Sequence, residues 1–185
     1  MRVLPLLAFP LLLACATQGA PPPQAVAPNA NSTSSRAQVE SMLSQPNTSP
    51  EAWKTIPDAA VWLRQIAGDA TQPPQQRARA TEALGTLDAP EAGPALLAFA
   101  GDANELAAVR SAAIVALAVR GGPASAQGLS GYLADANAEV RLGAAHALGI
   151  AGGEPAKNAL QSRLDAETDP KVRDEIQKSL AKITN

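Results

Sequence analysis

At 185 residues the chain is long enough for one domain of ordinary size with a leader and a linker besides. Fifteen Lys and Arg stand against 17 Asp and Glu, a net charge of −2, which excludes the basic excess that phosphate contacts demand of a nucleic-acid binder. A single cysteine excludes an intrachain disulfide and a cysteine-based zinc site. The sequence is 46% hydrophobic but only 3% aromatic, with alanine supplying much of the apolar content. Alanine is the best helix former and buries little area, so a core built from it requires closely packed helices and predicts an all-α class.

The chain opens with the positive Met1-Arg2, followed by the apolar run VLPLLAFPLLL at residues 3–13. A membrane-spanning helix needs roughly 20 apolar residues, so this run fits the apolar region of a secretory leader instead. Leu12-Leu13-Ala14-Cys15 follows directly and resembles the lipobox of bacterial lipoproteins. That resemblance implies cleavage before Cys15, acylation of Cys15, and attachment to the membrane through the N-terminal lipid. Ala16, which is not the aspartate that retains such proteins at the inner membrane, implies the outer membrane of a Gram-negative cell, facing the periplasm. Ala14-Cys15-Ala16 also satisfies the small-x-small pattern of an ordinary secretory leader, whose cleavage would release a soluble protein. Residues 1–14 are thus read as leader. Residues 16–34 carry no charged or aromatic side chain and are rich in Pro, Ala, Ser, Asn and Gln. They cannot bury enough apolar surface to offset their ordering entropy, so residues 15–34 read as an anchored tether.

Residues 35–68 read as N-terminal capping helices with a degenerate unit. Ser35-Arg36-Ala37-Gln38 has the form of a capping box opening a helix to about Gln45. Ser49-Pro50 starts another helix containing Trp53, and residues 58–67, with Val61, Trp62, Leu63 and Ile66, form a third. The two tryptophans are expected to close the exposed end of the core.

From residue 69 to 185 the chain repeats itself. Arginine recurs at Arg77, Arg110, Arg141 and Arg173, and leucine seven positions later at Leu84, Leu117, Leu148 and Leu180, both at intervals of 31 to 33 residues. Asp-Ala pairs precede each arginine at Asp69, Asp102, Asp135 and Asp165. Val140, Ala144, Ala147 and Leu148 fall on one stripe of a helix, as do Val109, Ala113, Ala116, Leu117 and Val172, Ile176, Ser179, Leu180. Asp102-x-x-Glu105 has the form of a capping box, and Asp169-Pro170 places a cap before a first-turn proline. Gly121-Gly122 and Gly152-Gly153 are expected to end helices. Proline then opens a second helix at Pro90 or Pro94, Pro123 and Pro155, carrying Leu96/Leu97, Leu129/Leu133 and Leu160/Leu164.

Two antiparallel helices per unit with the pattern Val140-Arg141-Leu142-Gly143-Ala144-Ala145-His146-Ala147-Leu148-Gly149 resemble the HEAT-repeat superfamily, in the short variant of the phycobilin lyases. The resemblance spans residues 58–183 and implies a right-handed α-solenoid of about four two-helix units. It implies that the four arginines pair with an aspartate or loop carbonyl of their own or a neighbouring unit, against the alternative of an anion-binding ladder. It also implies that the second helices line the concave face, which would bring Gln127, Ser130, Lys157, Asn158 and Gln161 against a partner.

Chemistry is thinly represented. His146 is the lone histidine, its repeat equivalents being Glu82, Val115 and Lys178, so the position is expected to be exposed. No catalytic or metal-ligating constellation is legible, no His-Glu step of the helical-repeat hydroxylases occurs, and no cofactor is expected. The Gly-Gly turns lack the Gly-Lys-Ser/Thr ending of a phosphate loop and follow helices. The expectation is a non-enzymatic scaffold binding a protein or peptide of the cell envelope, with no nucleic acid. A subunit resembling the helical-repeat lyases, a soluble periplasmic binding module and a structural spacer are the alternatives.

Overall fold

The computed structural model describes residues 30–45 and 48–184. Among them every regular element is helical: α1 (Ala30–Leu43), α2 (Pro50–Lys54), α3 (Ala59–Gly68), α4 (Pro74–Thr86), α5 (Ala92–Gly101), α6 (Ala107–Gly121), α7 (Ala126–Ser130), α8 (Ala138–Ala151), α9 (Gly153–Leu164) and α10 (Pro170–Thr184). Tight 3-10 turns, Gly122–Ser125 and Gly131–Ala134, flank the short α7. The helices form an α-solenoid. α4, α6, α8 and α10 lie side by side in one layer, and α3, α5, α7 and α9 pack against them as a second. Three complete pairs result, α4–α5, α6–α7 and α8–α9, with α3 ahead of them and α10 behind.

The first layer is tight because its facing side chains are small. Ala112, Ala113 and Ala116 of α6 and Ala144, Ala145 and Ala147 of α8 are all buried. Glycine permits the closest approaches. A Cβ on Gly85 would stand 2.5 Å from that of Ala116, and one on Gly143 only 2.0 Å from the Ser111 hydroxyl. Leu84, Ile114, Leu148 and Ile176 fill the space between the layers with no solvent exposure. Each such leucine or isoleucine contributes about 1.5–3 kcal/mol by leaving water. The predicted stripes therefore face the core, Leu117 and Leu180 only partly.

Helix ends follow the expected punctuation in two places. Asp169 Oδ1 accepts the main-chain N–H groups of Lys171 (2.9 Å) and Val172 (3.2 Å), capping α10 ahead of Pro170. Gly152, at φ +69°, turns the chain sharply between α8 and α9, a conformation that a Cβ would strain.

Two expected caps are not caps. α1 begins at Ala30, so the boundary drawn at residue 34 falls inside it. Ser35, Val39 and Leu43 form its buried stripe, so Ser35 faces the core from inside the helix instead of capping its start. Asp102-x-x-Glu105 likewise precedes α6 without closing a reciprocal cap. The Asp102 carboxylate accepts from Asn104 N–H in the loop, and Glu105 turns to the neighbouring unit. At the N-terminal end Trp53 is buried and Trp62 partly so, with the Arg36 guanidinium 6.0 Å above the Trp62 ring.

Candidate interaction surface

The repeated arginines tie each unit both to its own loop and to the next one. Arg77 donates through Nε to the Ala67 carbonyl (2.8 Å) and through Nη2 to Glu105 (2.5 Å). Arg110 repeats this with the Ala100 carbonyl (3.2 Å) and Asp135 (2.6 Å). Arg141 reaches the carbonyls of Asp135 and Ala136 and grips Glu167 with two bonds of 2.9 and 3.0 Å. Arg173 donates only to the carbonyls of Leu164 (2.7 Å) and Glu167 (2.9 Å). The ladder is nearly dry: Arg77, Arg110 and Glu167 are all buried.

Charge pairing governs the acids of this ladder. The Arg141 hydrogen bond, with further donation from the Asp169 N–H and Arg163, holds the Glu167 carboxyl far below its ordinary range against the cost of burial. For Asp135 burial is the largest single influence and pushes upward. The Arg110 hydrogen bond, the Asn137 N–H and the charges of Arg110 and Arg141 together outweigh it, so its carboxyl also sits below its usual value. An arginine so occupied has little left for a free anion.

The five residues expected to face a partner lie on α7 and α9 of the second layer. Gln127, Asn158 and Gln161 are exposed, Ser130 and Lys157 half-buried. Ser130 Oγ donates to the Gln127 carbonyl, and Lys157 lies 3.7 Å from Glu154. His146 is half-exposed on α8, its Nδ1 2.7 Å from a Glu175 oxygen on α10. Among the described residues no three His, Cys, Asp or Glu side chains converge to hold a metal, and no helix is long and apolar enough to cross a membrane. Cys15 lies outside the described residues.

The second layer also holds a feature not anticipated from the sequence. α5 and α7 make almost no direct contact, because glycines at Gly121, Gly122, Gly128 and Gly131 shorten and narrow the second helix of this unit. A groove of about 330 Å³ opens between them, with Leu117 and Leu129 below, Leu97 and Tyr132 at its sides, and Arg120 on its lip. Leu97, next to the buried Leu96 on the same helix, is 59% exposed. Adjacent residues project about 100° apart on a helix, so one leucine of the pair had to face outward. α5 (AGPALLAFAG) has no polar side chain, and residues 121–134 have no charged one. That gap in the charge pattern is the signal from which the groove could have been read.

The sequence matches the HEAT repeats family over residues 60–140 and again over 107–181. No curated protein matches the chain. Among solved structures, human deoxyhypusine hydroxylase in complex with glycerol is similar at 19% identity, with 83% of this chain and 88% of that one covered and a TM-score of 0.42. The inter-unit arginine ladder, the paired helices at an interval of 31 to 33 residues and the family match over most of the described residues establish that this chain belongs to the HEAT-repeat family.

Proposed function

We propose that this chain is a non-catalytic scaffold of the bacterial cell envelope, held at the membrane by lipid on Cys15 and presenting its second helix layer to another protein. The observation that carries the binding half is the groove between α5 and α7, an exposed apolar site beside the solvent-facing Leu97. Gln127 and Ser130 lie on α7 without lining the groove, and Lys157, Asn158 and Gln161 lie on α9, the next helix of the same layer. The anchoring half rests on the lipobox resemblance at residues 12–15. Acyl chains contribute roughly 0.8 kcal/mol per buried methylene, so a fully acylated Cys15 would be an effectively permanent anchor. The uncharged segment that follows would let the domain range over the outer-membrane surface.

In-cell crosslinking followed by membrane capture and mass spectrometry, comparing wild type with Cys15→Ser, tests both halves. One protein enriched only with the lipidated form supports the anchored scaffold. If Cys15→Ser changes neither the membrane fraction nor the captured protein, the anchor is wrong, and a soluble periplasmic module takes its place. That alternative draws on the Ala14-Cys15-Ala16 pattern alone.

A further inference from the structure

We infer that the groove between α5 and α7 recognises a protein segment in which a large apolar side chain stands next to a carboxylate. The inference rests on the scaffold reading and names the chemistry of its partner. The groove is at the small end of the roughly 300–1,000 Å³ typical of ligand sites, which suits one anchoring side chain and its neighbours rather than a cofactor. Leu97, Leu117, Leu129 and Tyr132 supply the apolar contacts.

Charge selects among apolar occupants. Arg120 is the only charged residue lining the groove. Its Nη1 donates to the main-chain carbonyls of Leu87 and Gly85, which fixes the guanidinium at the end of α4. That capping role uses one of the three nitrogens. The Nη2 and Nε hydrogens have no acceptor, and no carboxylate pairs with Arg120 among the described residues. Arg173 likewise donates only to carbonyls and only through Nη1, but the spare donors of Arg120 stand at the edge of an apolar groove. A neutral apolar segment laid in the groove would strip water from those donors and return nothing. A basic segment would be repelled. An adjacent carboxylate would gain charge-assisted, bidentate hydrogen bonds on a guanidinium already held in place.

Gly128 provides a clean block. A Cβ there meets nothing within 4 Å, so Gly128→Phe would fill the groove without disturbing the helix that carries it. The experiment is panning of a displayed random heptamer library on the full chain, with Cys15→Ser to keep it soluble, then titration of the enriched peptides. Enrichment of peptides carrying Leu, Phe or Met next to Asp or Glu is expected. Gly128→Phe should weaken them about tenfold or more. Replacing the peptide acid by its amide should cost a similar factor, that of one charge-assisted hydrogen bond, and leaves the protein's fold untouched. The amide should lose nothing further on Arg120→Gln, because the interaction is already gone. Enriched peptides that lack an acid, that bind Gly128→Phe equally, or that ignore the amide change would overturn the inference while leaving the scaffold reading to its own crosslinking test. Absence of any enrichment would overturn the inference outright.

Discussion

Arg141 of α8 and Glu167 of the α9–α10 loop meet through two parallel hydrogen bonds, 2.9 and 3.0 Å long, with the glutamate side chain wholly out of solvent. Glu167 also accepts from Arg163, Thr168 N–H and Asp169 N–H, so one carboxylate fastens α8, α9 and the start of α10. Removing one partner of a buried pair leaves the other charged and unmatched. Glu167→Ala should therefore cost about 3–5 kcal/mol in chemical denaturation. The Arg141→Met, Glu167→Met double variant should lose clearly less than the two single losses added together. Additive losses would mean that the pair is not coupled.

The same carboxylates set the response to acid. Glu167 and Asp135 titrate below their ordinary values of 4.5 and 3.8 when folded. Groups depressed in this way contribute stability that is fully present above the unfolded value and is lost as pH falls through the folded one. The melting temperature should hold through neutral pH and decline below about pH 4.5, where the unfolded chain begins to take up protons that the folded chain refuses. Glu167→Gln should be less stable at pH 7 and show a flatter acid decline. An equally steep decline in that variant would place the acid sensitivity elsewhere.

Position along the stack should grade the arginines. Arg110→Met strands Asp135, and because that pair is only 11% and 16% exposed the loss should approach about 3 kcal/mol. Arg173→Met removes two bonds to carbonyls and strands no acid, a loss of about 1–2 kcal/mol. Urea titrations of the two variants compare them directly. A greater loss at Arg173 would contradict the ladder.

Two glycines of the repeat should respond oppositely to alanine. Gly143→Ala places a methyl against Ser111 in the tight first layer and should destabilise by about 1–3 kcal/mol. Gly128→Ala adds a better helix former where there is open space and should be neutral or stabilising by up to about 1 kcal/mol. Thermal melts of both variants under one buffer are sufficient to check the contrast.

Much of this architecture is legible from residue spacing. The stripes at Val109, Val140 and Val172, the Asp169-Pro170 start and the Gly152 turn all act as their positions suggest, because each depends on contacts within one helix or one turn. Interactions between units are less legible. Asp102-x-x-Glu105 has the residues of a cap, yet Glu105 serves Arg77, and only the stack brings that arginine near it. Gly143 has the same residue type as the turn glycines but is needed for interhelical approach. The paired arginine–acid rungs follow from the period, whereas the particular acid of each rung does not. Leu96-Leu97 was readable as one inward and one outward leucine from helical geometry alone. The groove beside Leu97 is marked in the sequence only by the uncharged stretch at residues 121–134, and its opening arises where α7 is shortened and fails to meet α5.

The most direct test of the binding surface is site-specific photocrosslinking in cells, with p-benzoylphenylalanine at Ala124 on the groove and at Gln177 on the exposed side of α10 as control. The account predicts one discrete adduct from Ala124, none from Gln177, and loss of the Ala124 adduct when Gly128→Phe fills the groove. An adduct from Gln177 but not Ala124, or one from Ala124 that survives Gly128→Phe, would contradict it.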